Sequence, residues 1–400
     1  MHVYSQPLVT ERLPCKTPGC AGMILPATAE RTGGYCMPCV NAKGRQERLR
    51  YEEQNRVEVD RFRGVVDPVE HILLLHDEPR YDPLRVQKPS PRSASELYGA
   101  LDEVARQRLL SSVRSTPERL RIVAQHLAHF SSLPLGSVQR AMLQAGLVYP
   151  GYVFRAAPDG VVRALMDRLH DGDDLTRNHV LVALAWSRNT LAIQAFRMWA
   201  EHPPSWSEQL HVPVSDFTLE AGWELSRGEP RCLFSQRCEA LVLDETGEVA
   251  VCAPQSGRDC PHCGSAPVVL LPEIVTCPYC VNTAVVFAHA AFDRDGWVAM
   301  GSQKVINPDE AELPQRRARR GPRRSAYAAV DWCFASALSQ LGGHPSWIND
   351  AAYPLCPVCS SRMPFVAQLA LEDLEDHGEG ILYAFRCDAC GIVATSYDQS

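Results

Sequence analysis

A chain of 400 residues, 46% hydrophobic and 22% charged, has room for roughly two to four structural units and an ordinary globular composition. Its net charge is −7, and three metal-loaded all-cysteine sites would take it to about −13, a balance that disfavours nonspecific wrapping of nucleic acid. No apolar run approaches the ~18 residues of a membrane span, and Met1 to Leu13 lacks the apolar core of a signal peptide, so its sixteen cysteines point to metal ligation in a reducing compartment, the cytoplasm.

The chain opens on Cys15-x4-Cys20 and Cys36-x2-Cys39, two knuckles that can present four thiolates to a tetrahedral zinc ion. Glycines 19, 33 and 34 lie beside them, where tight turns are needed. Residues 41–64 carry dense mixed charge with Arg48/Glu52 four apart, the mark of a solvated helix. We expect 1–64 to be a zinc ribbon plus charged helix. Residues 65–92 hold a short apolar run, Val69 to Leu75, and then four prolines, and read as a linker or a loop hugging the surface.

Helical periodicity follows. Ser93 or Ser95 can cap a helix with Leu97, Leu101, Val104 and Leu109 on one face. Thr116-Pro117 starts another, with Leu120, Val123, Ala124, Leu127 and Phe130 aligned. Ser137 opens a third. Residues 159–201 read as a helical hairpin whose members Thr176 and Asn189 can cap. Domain two is therefore 65–228, a HEAT-like stack or small bundle. Trp199, Trp206 and Trp223 fit a core or junction better than a ligand cage.

From 229 the pattern turns to strands. Glu239–Leu243 and Glu248–Cys252 flank a turn at 244–247 and read as a hairpin. Two more ribbons follow: Cys260, Cys263, Cys277 and Cys280, then Cys356, Cys359, Cys387 and Cys390, spanning 260–280 and 356–390. Three structural zinc ions are expected in all. Between these ribbons lies the one strongly basic run, Arg316, Arg317, Arg319, Arg320, Arg323 and Arg324. Gly321-Pro322 suggests an exposed loop, serving either intramolecular pairing or contact with a partner or nucleic acid. It has no interleaved aromatics to stack bases. Strands are expected at 365–369 and 381–385 around an acidic loop, 371–380. The fold class is α+β, with a C-terminal mainly β domain, 229–400, carrying two inserted ribbons.

The segment Gln340-Leu341-Gly342-Gly343-His344-Pro345-Ser346-Trp347-Ile348, then Tyr353-Pro354 before Cys356-Pro357-Val358-Cys359, resembles the YwqG-like family of uncharacterised bacterial proteins. The match continues at Phe365, Gln368, Gly378 to Tyr383 and Cys387 to Tyr397, covering 325–400 well and the region from 230 loosely. The resemblance implies a mainly β domain with an extra ribbon. It also implies an immunity-type role, since some members lie near toxin and antitoxin systems, and it offers no catalytic residue.

Four thiolates close a zinc site, whereas a catalytic zinc keeps an open position. No phosphate loop, G-x-S-x-G or H-E-x-x-H pattern is present. Cys232, Cys238 and Cys252 read as small buried residues, with a fourth metal site sharing His262 as the alternative. Cys333, His344 and Asp331 have the residue types of a nucleophilic site, but His344 beside two glycines reads better as a structural histidine. We therefore expect no catalytic or cofactor-binding residues. The reading is a cytoplasmic, zinc-stabilised protein-binding module with another protein as partner and no membrane contact. The alternatives are a nucleic-acid-associated ribbon protein using the arginine run, and an enzyme with a pocket near Cys333 and His344.

Overall fold

The computed structural model describes residues 12–77, 82, 84–170, 173–210, 212–225, 229–292, 296–300, 313–323, 325–330, 338–375 and 378–399. The chain forms two compact units, Met1–Ser93 and Ala94–Ser400.

In the first unit, β1 (Leu13–Pro14) and β2 (Met23–Ile24) form an antiparallel pair, followed by α1 (Pro26–Thr32) and α2 (Met37–Gln54). The charged helix expected after the first ribbon is α2, with Arg48 and Glu52 paired at 3.1 Å. It starts inside the second knuckle, so Cys39 sits on its first turn. The proline-rich stretch is not a featureless linker. Asp67 caps α3 (Pro68–Leu75) by accepting from the N–H groups of Val69 and Glu70, and α3 buries Val69, His71 and Ile72. It joins β3 (Val57–Val59) to β4 (Arg85–Gln87), which pair in parallel.

The second unit begins with helices that pack mostly against their neighbours in sequence. These are α4 (Ala94–Gly99), α5 (Glu103–Val113), α6 (Pro117–Phe130), α7 (Gly136–Gln144), α8 (Asp159–Asp167), α9 (Asp174–Ser187) and α10 (Thr190–Glu201). Leu120, Val123, Ala124 and Leu127 are buried as their spacing requires. The first expected helix breaks at Leu101-Asp102, because Asp102 caps α5, and Val104 is left 78% exposed. Asn189 caps α10 as expected, but Asp173, not Thr176, caps α9: its side chain accepts from the Thr176 N–H. A short helix, α11 (Phe217–Glu220), leads to the hairpin β5 (Trp223–Glu224) and β6 (Arg231–Cys232). Trp223 is fully buried and donates its indole N–H to the Ala185 carbonyl at 2.9 Å; Trp199 and Trp206 meet edge to face. Trp223 thus joins α9 to β5, while Trp199 and Trp206 pack within the helical part.

The β half has β7 (Cys238–Leu243), β8 (Val249–Val251), β9 (Ala253–Pro254), β10 (Val268–Leu271), β11 (Ile274–Thr276), β12 (Val286–His289), β13 (Trp297–Met300), β14 (Arg316–Pro322), β15 (Gln340–Gly342), β16 (Phe365–Ala370), β17 (Ile381–Cys387) and β18 (Ile392–Asp398). The acidic loop after β16 opens with a four-residue helix, α12 (Leu371–Leu374); its Asp376 and His377 lie outside the described residues. Nine strands form one sheet in the order β13-β12-β18-β17-β16-β15-β7-β14-β8, and β11-β10-β9 form a second.

The expected hairpin of β7 and β8 does not pair with itself. The arginine run is strand β14 and lies between them, with Ala318 opposite Leu243 on one side and Val249 on the other. The exposed-loop reading of this run is therefore corrected. Its arginines are exposed around buried Ala318 and Gly321, which stand three apart and so depart from the two-residue alternation of a half-buried strand.

Each face of the large sheet has its own apolar layer. Leu241, Val251, Ala288, Leu369, Leu382 and Val393 pack under β10 and β11. Phe365, Tyr383, Phe385 and Ile392 pack with Tyr353 and Met363 on the other face.

Candidate metal centres

The three ribbons bring together the residues their spacing selected. Cys15, Cys20, Cys36 and Cys39 converge, as do Cys260, Cys263, Cys277 and Cys280, and Cys356, Cys359, Cys387 and Cys390. Within each group all four Sγ atoms lie within 4.8 Å of one another. A tetrahedron with Zn–S bonds of about 2.3 Å has S···S edges of about 3.8 Å. The Cys20–Cys36, Cys260–Cys280 and Cys359–Cys387 separations are 3.6, 3.7 and 3.7 Å. These are far beyond a disulfide bond of about 2.05 Å, and the described cysteines are free thiols. The donor set fits a zinc ion at each of the three clusters, and no ligand position is left over for catalysis.

Local backbone geometry makes the knuckles. In C-P-H-C-G the Cys260 N–H donates to the Ser265 carbonyl, and the Gly264 N–H returns to the Cys260 carbonyl, both at 2.8 Å. In C-P-V-C-S the same two bonds recur from Cys356 to Ser361 and from Ser360 to Cys356, again at 2.8 Å. The residue after the second cysteine must then turn left-handed, with φ +77° at Gly264 and +57° at Ser360. Backbone amides also face sulfur: Cys36 N–H to Cys15 Sγ at 3.2 Å, Gly22 N–H to Cys20 Sγ at 3.4 Å and Cys280 N–H to Cys277 Sγ at 3.5 Å. Such donors spread thiolate charge and hold ligands in place.

The thiols respond unequally before any metal adds its charge. The Cys36 N–H, helped by Thr17, brings Cys15 down to about 6, and the Ser361 N–H and hydroxyl bring Cys359 down to about 6. At Cys263 burial opposes ionisation, yet hydrogen bonds from Ser265 and the neighbouring thiols lower it to about 7. Each cluster therefore contains at least one sulfur poised to be a thiolate and open metal binding.

The two C-terminal clusters occupy opposite faces of the nine-stranded sheet. Cys260, Cys277 and Cys280 belong to the layer beneath β10 and β11, whereas Cys356 and Cys387 belong to the Phe365–Phe385 layer. A buried hydrogen bond of 2.6 Å between Thr276 and Thr395 ties β11 to β18, and Arg386 beside Cys387 pairs with Glu273 at 2.5 Å.

The G-G-H-P-S-W segment is held from below by two buried glutamines of the central strands. Gln340 Nε2 donates to the His344 carbonyl, Gln368 Oε1 accepts from the Ser346 N–H, and Gln368 Nε2 donates to the Leu338 carbonyl, all at 2.8 Å. The Tyr383 hydroxyl donates to the Ser346 carbonyl at 2.7 Å, and Trp347 packs on Tyr353, Tyr383 and Phe385. His344 is 2% exposed, with Nδ1 2.7 Å from the Pro345 carbonyl and Nε2 2.9 Å from the Glu220 carbonyl. Burial pushes its pKa down to about 4, opposed by these two carbonyl acceptors. Trp186 and Phe234 close over it at 4.5 and 5.1 Å. This is the environment of the structural histidine expected from the sequence. Cys333 and Asp331, its proposed companions in a nucleophilic site, lie outside the described residues.

The leftover cysteines do not gather. Cys252 is buried and pushed up to about 12 by that burial, Cys238 faces the Gln340 side-chain oxygen at 3.4 Å, and Cys232 faces the Phe234 carbonyl at 3.3 Å. His262 is exposed, and among the described residues no fourth metal-ligating group forms.

Of the arginine run, Arg319 pairs with Asp244 at 3.4 Å and Arg320 with Glu239 at 3.4 Å. Arg316 donates to the Leu374 carbonyl, Arg317 to the Gly247 carbonyl and Arg323 to the Ser339 carbonyl. Arg324 lies outside the described residues. Each of the five described arginines has an intramolecular partner.

Sequence reasoning missed one acidic recess. Glu220, Asp216, Asp350, His179 and Asn178 line a cavity of about 360 Å3. Burial raises Glu220 to about 7, opposed by the Ala351 N–H it accepts at 2.5 Å and reinforced by Asp350. Glu220 and Asp350 are 130 positions apart, so no local spacing could have joined them.

These features define a mixed α/β protein stapled by three four-cysteine metal centres, two of them on opposite faces of one sheet. The chain belongs to the family of the uncharacterised protein YpfL of Salmonella typhimurium, to which it is 36% identical over 428 aligned positions covering 98% of this chain and all of the relative. No family model matches the chain. No solved structure matches it either.

Proposed function

We propose that this protein is a zinc-stabilised protein-binding module of the cytoplasm, without catalytic activity of its own. The observation that carries the reading is the surface of the first unit. Nine of the fifteen exposed large apolar side chains among the described residues fall there, on less than a quarter of the chain. They include Met23 and Leu25 beside the first cluster and Leu49 and Tyr51 on α2, a helix of 18 residues that buries none of them. This charged helix, held at one end by the first cluster and exposed along nearly its whole length, is the surface the reading offers to a partner protein. The likeness of Gln340–Cys359 to YwqG-like proteins supports kinship with that family and a toxin-immunity or defence setting, and forms part of the same proposal. Free thiols at the described cysteines support a reducing compartment.

Affinity purification of the full chain from its native cell tests this. The expected result is a stoichiometric partner retained by the wild type and lost by Leu49→Glu/Tyr51→Glu with all three zinc ions still bound. Equal recovery with both proteins, or no partner with either, would overturn the reading. The nucleic-acid alternative gains no support, because the described arginines of 316–323 are engaged within the chain.

A further inference from the structure

A cavity of about 790 Å3 opens where α7, α8 and α9 end or begin, with Ser132, Arg155, Trp186, Arg188, Asn189 and Tyr327 in its wall. Among the described residues no aspartate or glutamate lines it. Arg155 directly follows a 3-10 turn, Gly151–Phe154, donates one N–H to the Ala128 carbonyl and lies over the Tyr327 ring at 5.5 Å. Arg188 ends α9 in the left-handed region, φ +47°, and approaches the Cys232 sulfur at 3.6 Å. Among the described residues neither guanidinium has a carboxylate partner. Asp159, next to the lining residue Pro158, has its carboxylate engaged by Asn189 Nδ2 at 2.8 Å.

Two half-buried guanidiniums share one concave wall, and among the described residues neither meets a carboxylate. Desolvation carries a cost at Arg155, whose pKa burial lowers. A ligand that supplies negative charge removes this cost. We propose that the cavity binds a small phosphate-bearing molecule, with its phosphate group held between Arg155 and Arg188.

Donor number decides between anions. Each guanidinium carries five N–H groups, and the bonds described above use one of them on each residue. The Ser132 hydroxyl adds another donor. The helix α7 begins at this wall, at Gly136, with no side-chain cap, whereas α8 already carries the Asp159 carboxylate in its first turn. That is more than the two oxygens of a carboxylate can use, and it matches three terminal phosphate oxygens. The cavity volume leaves room for the rest of a small phosphomonoester. This inference is independent of the protein-binding reading.

The test titrates the full, zinc-loaded chain with inorganic phosphate and with AMP, against chloride at equal ionic strength, by calorimetry and thermal shift. Saturable binding at one site is expected, with AMP also changing Trp186 fluorescence. Arg188→Asn should weaken binding at least about tenfold. Asparagine tolerates the left-handed region, so this variant should keep its zinc and its unliganded melting point. Arg155→Lys should weaken binding similarly, and Arg48→Gln, on α2, should leave it unchanged. The proposal is overturned if neither phosphate nor AMP binds at about 10 mM, if Arg188→Asn binds as well as the wild type, or if Arg48→Gln loses as much as Arg188→Asn.

Discussion

Three single residues carry costs that can be measured. Gly343 has φ +74°, and a Cβ there would lie 2.6 Å from the Cys238 sulfur and 2.8 Å from the Ala326 carbonyl oxygen. Gly343→Ala should therefore destabilise the second unit by at least about 2 kcal/mol in denaturant titration. Ser360 occupies the left-handed turn that glycine fills at position 264, so Ser360→Gly should be neutral or stabilising by up to about 1 kcal/mol. Glu220 is raised to about 7 in the fold, chiefly by burial. A carboxyl whose folded pKa lies above its unfolded one holds more protons when folded. Stability is then lost as pH rises from the unfolded value, about 4.5, through 7. Glu220→Gln keeps the oxygen that accepts from Ala351. It should gain roughly 2–3 kcal/mol over the wild type at pH 8 and almost nothing at pH 4.5. A constant difference across that range would refute the assignment.

At the scale of elements, the knuckles were legible because their geometry is local. C-x2-C with glycine or serine after it needs only six residues to close its two hydrogen bonds, so sequence spacing and structure coincide. Helices with a clean apolar stripe, such as α6, were legible for the same reason, as was the cap at Asn189. Strand partners were not. A turn between β7 and β8 is indistinguishable in sequence from a hairpin, and nothing near it records that β14, far downstream, separates them. Pro322, the density of arginine and the lack of a two-residue alternation concealed β14 further. Among the candidate sites, all twelve zinc ligands were readable, whereas the acidic recess and the arginine-lined cavity are assembled from distant elements and were not. The pairing of β14 predicts the effect of charge removal. Arg319→Gln/Arg320→Gln breaks two exposed ion pairs and should cost about 1 kcal/mol or less. The variant should show no change in salt-dependent retention on nucleic acid.

At the scale of the molecule, metal and polypeptide share the work of holding the fold. Metal analysis of thiol-protected protein should give three zinc ions per chain, and fewer would remove the basis of the architecture. The two units give a sharper test. Cys36→Ser should cost one zinc and the amide protection of residues 12–93 in hydrogen exchange, while protection of the nine-stranded sheet persists. Cys387→Ser, whose sulfur packs in the layer with Phe385 and Ile392, should reduce protection in that sheet directly. The place of β14 has a consequence in time. The ribosome delivers β7 and β8 first, and the strand that bonds to both arrives about 65 residues after Val251, roughly 3–13 s later at ordinary synthesis rates. Until then two apolar strand edges stand open in the nascent chain, a hazard for joining the wrong neighbour. The late strand is rich in arginine, and like-charge repulsion keeps copies of it from pairing with each other while each waits for its slot.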